Sequence, residues 1–253
     1  MWARRMRELI RALLAAAVGL SLAGPALAAG DEDHWGYAGE DGPDHWAKLS
    51  KDYRACRGGQ QSPVDLIATH RADNEDIKLR WAPFAPEVVN NGHTIQANAP
   101  KGNRTVFGGR SYILLQVHFH HRSEHTITGQ HQPMEAHFVY RGAGGALLVL
   151  GVMLTEGEPK AEIAKIWAAM PTTEGEAQAA AKVDLARLVP ADAASYRYAG
   201  SLTTPPCSEI VDWVVFADPI EVSTDQIATF TALYPTNNRP VQERNRRFIL
   251  LGE

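Results

Sequence analysis

His118 and His120 are the first residues of this chain whose type and spacing imply chemistry, because they end a run, Ser111 to His121, in which side chains alternate with period two. In an extended strand, residues i and i+2 project from the same face roughly 6.5–7 Å apart, twice the rise per residue. Two imidazoles so placed can converge on one ion. A catalytic zinc site needs a third protein ligand and an open fourth position, and His121, His125, His131 and His137 follow as candidates. His121 is out of register and points from the opposite strand face. His125 and His131 fall in the connector Arg122 to Pro133, where solvated loop positions are expected. Glu135-Ala136-His137-Phe138-Val139-Tyr140 reads as the next strand, with Glu135, His137 and Val139 on one face. A hairpin pairing sets that face beside His118 and His120, which selects His137 as the third ligand and leaves Glu135 or Gln116 to orient ligand rings from behind. The competing reading is an exposed His-x-His pair that binds nothing in particular.

The elements that must position these residues are mostly strands. Turn signals recur at short intervals, at Gly42-Pro43, Gly58-Gly59, Asn90-Asn91-Gly92, Gly108-Gly109, Gly142 to Gly145 and Pro205-Pro206, and several intervening runs alternate. The fold class is therefore mainly β (α+β), a single domain with antiparallel strands and a few short peripheral helices. In Ser111 to His121, Ile113, Leu115, Val117 and Phe119 form an apolar row expected on the core, with Leu114, Gln116, His118 and His120 opposite. One helix is expected over Pro159 to Met170, its stripe Ile163, Ile166, Trp167 and Met170, with Pro171 stopping it. Ser223-Thr224-Asp225-Gln226 reads as a capping box ahead of a short helix carrying Ile227 and Phe230.

Composition bounds the partners. The 253 residues are 45% hydrophobic and 21% charged, which suits one large domain and excludes collagen, coiled coil and a largely disordered chain. A formal charge of −4 does not favour nucleic acid. Ten His against two Cys direct attention to metal or proton chemistry and allow one disulfide but no cysteine-built zinc site. Arg4, Arg5, Arg7 and Arg11 precede an apolar stretch from Ala12 to Leu22 and an Ala-x-Ala site ending at Ala28, so residues 1–28 read as a cleaved signal peptide and 29–253 as the mature domain. The stretch is short of the roughly 20 residues of a membrane span, so no membrane association is expected after cleavage. The expected location is periplasmic or secreted, where Cys56 and Cys207 can pair; two buried free thiols are the alternative.

An ordered set of motifs over roughly 200 residues is far more specific than any one of them. It runs through His34-Trp35-Gly36-Tyr37, Gln61-Ser62-Pro63-Val64-Asp65, Asn90-Asn91-Gly92-His93, Gln116-Val117-His118-Phe119-His120, Ser123-Glu124-His125-Thr126 and Glu135-Ala136-His137. It ends with Gly200-Ser201-Leu202-Thr203-Thr204-Pro205-Pro206 and Asn238-Arg239-Pro240-Val241-Gln242. This set resembles the α-class carbonic anhydrases, in particular their bacterial exported branch. The resemblance implies a large, central, mostly antiparallel twisted sheet, a Cys56–Cys207 disulfide and one Zn2+ per chain on His118, His120 and His137. Gln116 and Glu135 then stand behind His118 and His137. It further implies reversible hydration of CO2 to bicarbonate, by attack of zinc hydroxide.

In that scheme Thr203 accepts the hydroxide proton and donates its own to the Glu124 carboxylate, which has only acceptors to offer. Alone, Thr203 to Pro206 reads as a turn and strand terminator. Val139, Val149, Leu202, Val211 and Trp213 wall an apolar CO2 pocket, although Val149 and Val211 individually suit ordinary core packing, and Thr204 seats bicarbonate. His93 exports the proton, a task that suits an imidazole, while Tyr37, Asn91 and Gln96 line a water network. Gln96 stands where animal members commonly have Asn, and His121-Arg122 where relatives often have Trp-Gly or Thr-Pro. The chain is expected to be a monomer or homodimer. Two other classes remain: a catalytically dead binding protein of this family, which typically lacks a ligand His, and a zinc-buffering protein, which calls for solvated His-rich runs.

Overall fold

Alternating side chains along most of the chain assemble into one large twisted sheet. In the computed structural model, which describes residues 34–73, 77–191 and 194–252, seven of its strands carry the argument. They are β1 (Glu87–Asn90), β2 (Ile95–Asn98), β3 (Arg110–His121), β4 (Met134–Arg141), β5 (Leu147–Glu156), β6 (Ser195–Gly200) and β7 (Val211–Phe216). They lie in the order β1-β2-β3-β4-β5-β7-β6, with Gly175–Gln178 outside β1 and Leu250–Gly252, then His70–Ala72, outside β6. Pairing in this sheet is antiparallel except where β5 meets β7 and Ile220–Val222, and where Leu250–Gly252 meets His70–Ala72. The expected mainly β architecture is what forms. The expected signal peptide, residues 1–28, lies outside the described residues.

The central strands β4 and β5 are buried on both faces, which explains their nearly unbroken apolar runs. Ala136, Phe138, Tyr140, Leu148, Leu150, Val152 and Leu154 face the larger core with Val117 and Phe119 of β3. The other face carries Val139, Val149, Met153, Val211 and Trp213, a second apolar cluster, and beside it Glu135 and His137. One side of the sheet therefore supplies stability while the other holds the candidate chemistry.

One strand face differs from the alternation. Gln116 pairs with Val139 but Leu114 pairs with Tyr140, so Leu115 is an extra residue in β3, a β-bulge. The bulge exchanges faces on its N-terminal side. Tyr112 and Leu114, not Ile113 and Leu115, join Val117 and Phe119 in the core, and Ile113 is 52% exposed. The expected apolar row is thus correct only for Val117 and Phe119. On the C-terminal side the register is undisturbed, and Gln116, His118 and His120 keep their common face.

Short helices brace the larger core: α1 (Trp46–Leu49) lies apart, while α2 (Ala161–Trp167) and α3 (Thr224–Thr231) pack behind β3. Helix α2 is shorter than the expected Pro159 to Met170, but Ile163 and Ile166 are buried as its stripe requires. The Ser223–Gln226 capping box forms with both reciprocal hydrogen bonds. Trp167 Nε1 donates to Gln226 O at 2.9 Å and ties the two helices together. A Cys56–Cys207 disulfide fastens the loop after β6 to the turn Arg54–Arg57.

Candidate metal centre

The β3–β4 pairing sets His137 directly opposite His118, and Glu135 opposite His120. One ring nitrogen from each of His118, His120 and His137 lies within 4.8 Å of those of the other two. The opposite nitrogen of every ring is engaged. His118 Nδ1 pairs with Gln116 Oε1 at 2.9 Å, His120 Nδ1 with the backbone oxygen of Asn237 at 2.7 Å, and His137 Nε2 with Glu135 Oε1 at 2.9 Å. Oxygens of this kind only accept, so these partners assign the tautomers: the protons sit on His118 Nδ1, His120 Nδ1 and His137 Nε2. Lone pairs on His118 Nε2, His120 Nε2 and His137 Nδ1 then face one another.

Burial, with the neighbouring His120 and His137 adding to it, pushes His118 well below the usual imidazole range. Burial also lowers His120, against the opposing pull of Glu124. For His137 burial again acts downward, but the charge and hydrogen bond of Glu135 outweigh it and raise the ring. Glu135 itself is fully buried; burial works to raise it, yet His125 and His137 together hold it well below the usual carboxylate range.

Two buried atoms at this centre have no hydrogen-bond partner, His120 Nε2 and Glu124 Oε2. Glu124 Oε2 stands 3.6 Å from His120 Nε2 and 3.8 Å from His137 Nδ1, while Oε1 accepts the Arg239 N–H at 2.8 Å. A buried imidazole nitrogen without a donor and three converging lone pairs are what a divalent transition metal requires, and the donor set suits zinc. The residues present fit such an ion.

The connector between β3 and β4 departs from expectation. His125 is fully buried rather than solvated, with Nδ1 donating to Glu135 Oε1 at 2.8 Å and Nε2 hydrogen-bonded to the Tyr198 hydroxyl. His131 is half-buried and donates from Nδ1 to Ser123 O at 2.7 Å. The physical reason is Glu135: Oε2 accepts the N–H groups of both Glu124 and His125 at 2.8 Å, which draws the connector onto the sheet. His121 does point away from the centre, donating from Nδ1 to Pro235 O at 2.8 Å.

The remaining expected site residues lie on strands and in loops. Val139, Val149 and Trp213 are successive cross-strand partners over β4, β5 and β7, and Val211 pairs with Leu147 two residues along the same face. Leu202 packs on the same cluster, and the Trp213 ring lies 4.8 Å from that of His137. Thr203 is buried in the loop that Cys207 anchors. Thr204 is half-buried there, its backbone oxygen accepting Cys207 N–H. Glu124 Oε2, the oxygen open to the expected Thr203 hydroxyl, has no hydrogen-bond partner.

His93 stacks on Trp35 with ring centroids 3.7 Å apart. Asn91 spends its Oδ1 on the N–H groups of His93 and Thr94, closing the turn. Gln96 pairs with His118 across β2 and β3, and its Nε2 donates to Asn98 Oδ1 at 2.6 Å. Tyr37 packs on Trp35 and Trp46 and is raised well above the usual phenol range by burial, then by Glu124. Sequence reasoning missed Asn237, Tyr198 and the burial of His125, none of which carries a local pattern.

Comparison with known proteins agrees in extent with the geometry. The eukaryotic-type carbonic anhydrase family profile matches residues 41–252. A carbonic anhydrase of Neisseria gonorrhoeae is 41% identical over 250 residues, covering 98% of each chain. One from Pectobacterium carotovorum is 39% identical over 228 residues, 89% of this chain and 93% of that protein. Among solved structures, the α-carbonic anhydrase of Thermovibrio ammonificans, in complex with sulfanilamide, superposes with a TM-score of 0.83 at 42% identity, covering 86% of this chain and 99% of that one.

Glu135→Gln keeps the shape but removes the charge that holds His137 and its connector. Zinc affinity, read by competition with a chelator, should fall by about 10–100-fold; unchanged affinity would show that the carboxylate does not orient the ring.

Proposed function

The chain belongs to the eukaryotic-type (α-class) carbonic anhydrase family, enzymes of reversible CO2 hydration, and from that premise we propose that one Zn2+ held by His118, His120 and His137 is its working centre. The observation that carries this is the convergence of three imidazole lone pairs, each ring held by an acceptor behind it. Zinc, when bound, supplies the Lewis acidity that makes water a nucleophile near neutral pH. Everything else falls to the protein's own side chains.

Gln116 Oε1, Asn237 O and Glu135 Oε1 keep the three rings in the tautomers that present lone pairs inward. Thr203 accepts a hydrogen bond from the nucleophile and donates its own to Glu124 Oε2, whose open lone pair supports that role. The nucleophile then presents a lone pair, not a proton, to the substrate. CO2 has no net dipole, and the apolar wall of Val139, Val149, Leu202, Val211 and Trp213 beside His137 seats it without asking it to displace a polar partner. Thr204 seats the bicarbonate product.

Each turnover leaves a proton to export, and His93 takes it to solvent through water lined by Tyr37, Asn91 and Gln96. Its half-buried ring, stacked on Trp35 beside an Asx-closed turn, supports that role. Burial, with His34 adding to it and Glu174 opposing, sets His93 below the ordinary imidazole value.

The same proposal makes residues 1–28 an export signal and 29–253 the catalytic domain, working in the periplasm or outside the cell. The Cys56–Cys207 disulfide is consistent with an oxidising compartment. No helix among the described residues is long and apolar enough to cross a membrane.

Two experiments test the reading. CO2 hydration by the purified mature protein should be lost when zinc is stripped and return when zinc is restored; retention of full activity in the stripped protein would contradict it. In dilute buffer the hydration kcat should rise with pH as His93 loses its proton, with an inflection below the usual imidazole value of about 6.5. His93→Ala should lower that kcat and added imidazole should restore it; an inflection above that value, or a variant with unchanged kcat, would remove His93 from the pathway.

A further inference from the structure

Asn237 follows α3 in an extended segment and is fully buried, although it is 117 residues from His120 in sequence. Its backbone oxygen accepts from His120 Nδ1, as described above. The side chain makes a separate set of contacts. Nδ2 donates to the backbone oxygens of His93 and Phe119, both at 3.0 Å, and Oδ1 accepts the His121 N–H at 2.7 Å. Asn237 N–H in turn donates to His121 O at 3.0 Å.

A carboxamide offers two N–H donors and one carbonyl oxygen, so both donors and an acceptor position are used. The orientation of the amide is determined by its partners: reversing it would face Nδ2 with an N–H and Oδ1 with two carbonyls. The side chain therefore grips β3 on both sides of His120, through Phe119 and His121, and reaches from there to the turn that carries His93. Thr94 adds support at one of these points, its hydroxyl donating to the same Phe119 oxygen.

We infer that the Asn237 side chain is a positioning residue for both ends of the reaction, holding the His120 ring for the metal and the His93 turn for proton transfer through one amide. The inference rests on the proposed roles of His120 and His93. It differs from the contribution of the Asn237 backbone oxygen, because every substitution at this position keeps that oxygen and alters only the clamp.

Asn237→Asp retains the acceptor for the His121 N–H but sets carboxylate oxygen, in place of donors, against the His93 and Phe119 carbonyls. Asn237→Ser withdraws the reach of the side chain with no added charge. Both variants should release zinc to a chelator about tenfold faster than the unaltered protein, the scale on which partners behind a ligand act. In dilute buffer their kcat should fall more than their kcat/KM, and added imidazole should recover kcat, a split that mere loss of stability would not produce. In the unaltered metal-free protein the two Asn237 Nδ2 protons should exchange slowly with solvent by NMR, a measurement that decides the matter even where the variants fail to fold.

Zinc release and a kcat to kcat/KM ratio equal to those of the unaltered protein would overturn the inference, as would Nδ2 protons that exchange like those of an exposed carboxamide. If the unaltered protein does not hold zinc, or His93→Ala keeps full kcat, the underlying site reading fails and this inference with it. If those controls behave as expected and the variants match the unaltered protein, the clamp alone is wrong.

Discussion

A fully buried carboxylate is the constraint around which this centre is arranged. Burying an ion costs several kcal/mol unless its lone pairs are satisfied, and Glu135 meets that cost with four N–H donors. Two are the ring nitrogens of His125 and His137, and two are the backbone N–H groups of Glu124 and His125. The backbone donors can reach only if the connector after β3 folds down onto β4. That one requirement buries His125, brings Glu124 beside the imidazoles and holds His137 in a single tautomer. The rings that hydrogen-bond to it also keep Glu135 well below the usual carboxylate range, against the upward push of burial.

The sheet makes such a demanding arrangement affordable. Its two faces divide the labour: an apolar face covered by α2 and α3 fixes β3 and β4, and the other presents Gln116, His118, His120, Glu135 and His137 from paired strands. Side chains on paired strands are held more rigidly than they would be on loops, and sites of this kind need that precision. At the rim, buried Arg239 lies over the Trp46 ring at 5.4 Å and donates to Gln61 Oε1 and to the backbone oxygens of Ser62 and Cys56. Burial lowers its guanidinium to about 10, with Glu124 opposing. Two distant motifs, Gln61-Ser62 and Asn238-Arg239, are thereby brought against the same site.

Much of this was legible because it depends on local periodicity. Strand spacing alone places His118 and His120 on one face, and a simple hairpin brings His137 and Glu135 beside them; Ser223 to Gln226 announced a helix start through local hydrogen bonds. The bulge at Leu115 was not legible, since Leu114, Leu115 and Ile113 are all apolar and hydrophobicity does not distinguish a shifted register from a continuous one. His125 and His131 read as loop residues because their burial depends on partners outside their own segment, Glu135 and Tyr198 for one and Ser123 for the other. Asn237 carries no signal at all, since it reaches His120 through a main-chain oxygen that any residue possesses. Glu124 lies beside the imidazoles through the fold of its connector, a placement that no spacing rule specifies.

On the proposed reading, the hydrogen bonds behind the three imidazoles prepare the centre before any metal arrives. The direct test is nitrogen NMR of the imidazoles in the metal-free protein at alkaline pH, above the range to which Glu135 raises the His137 ring. The predicted result is three fixed neutral tautomers, with protons on His118 Nδ1, His120 Nδ1 and His137 Nε2. Tautomers that interconvert freely, or a proton on any of the three inward nitrogens, would contradict the claim that the fold itself builds the site.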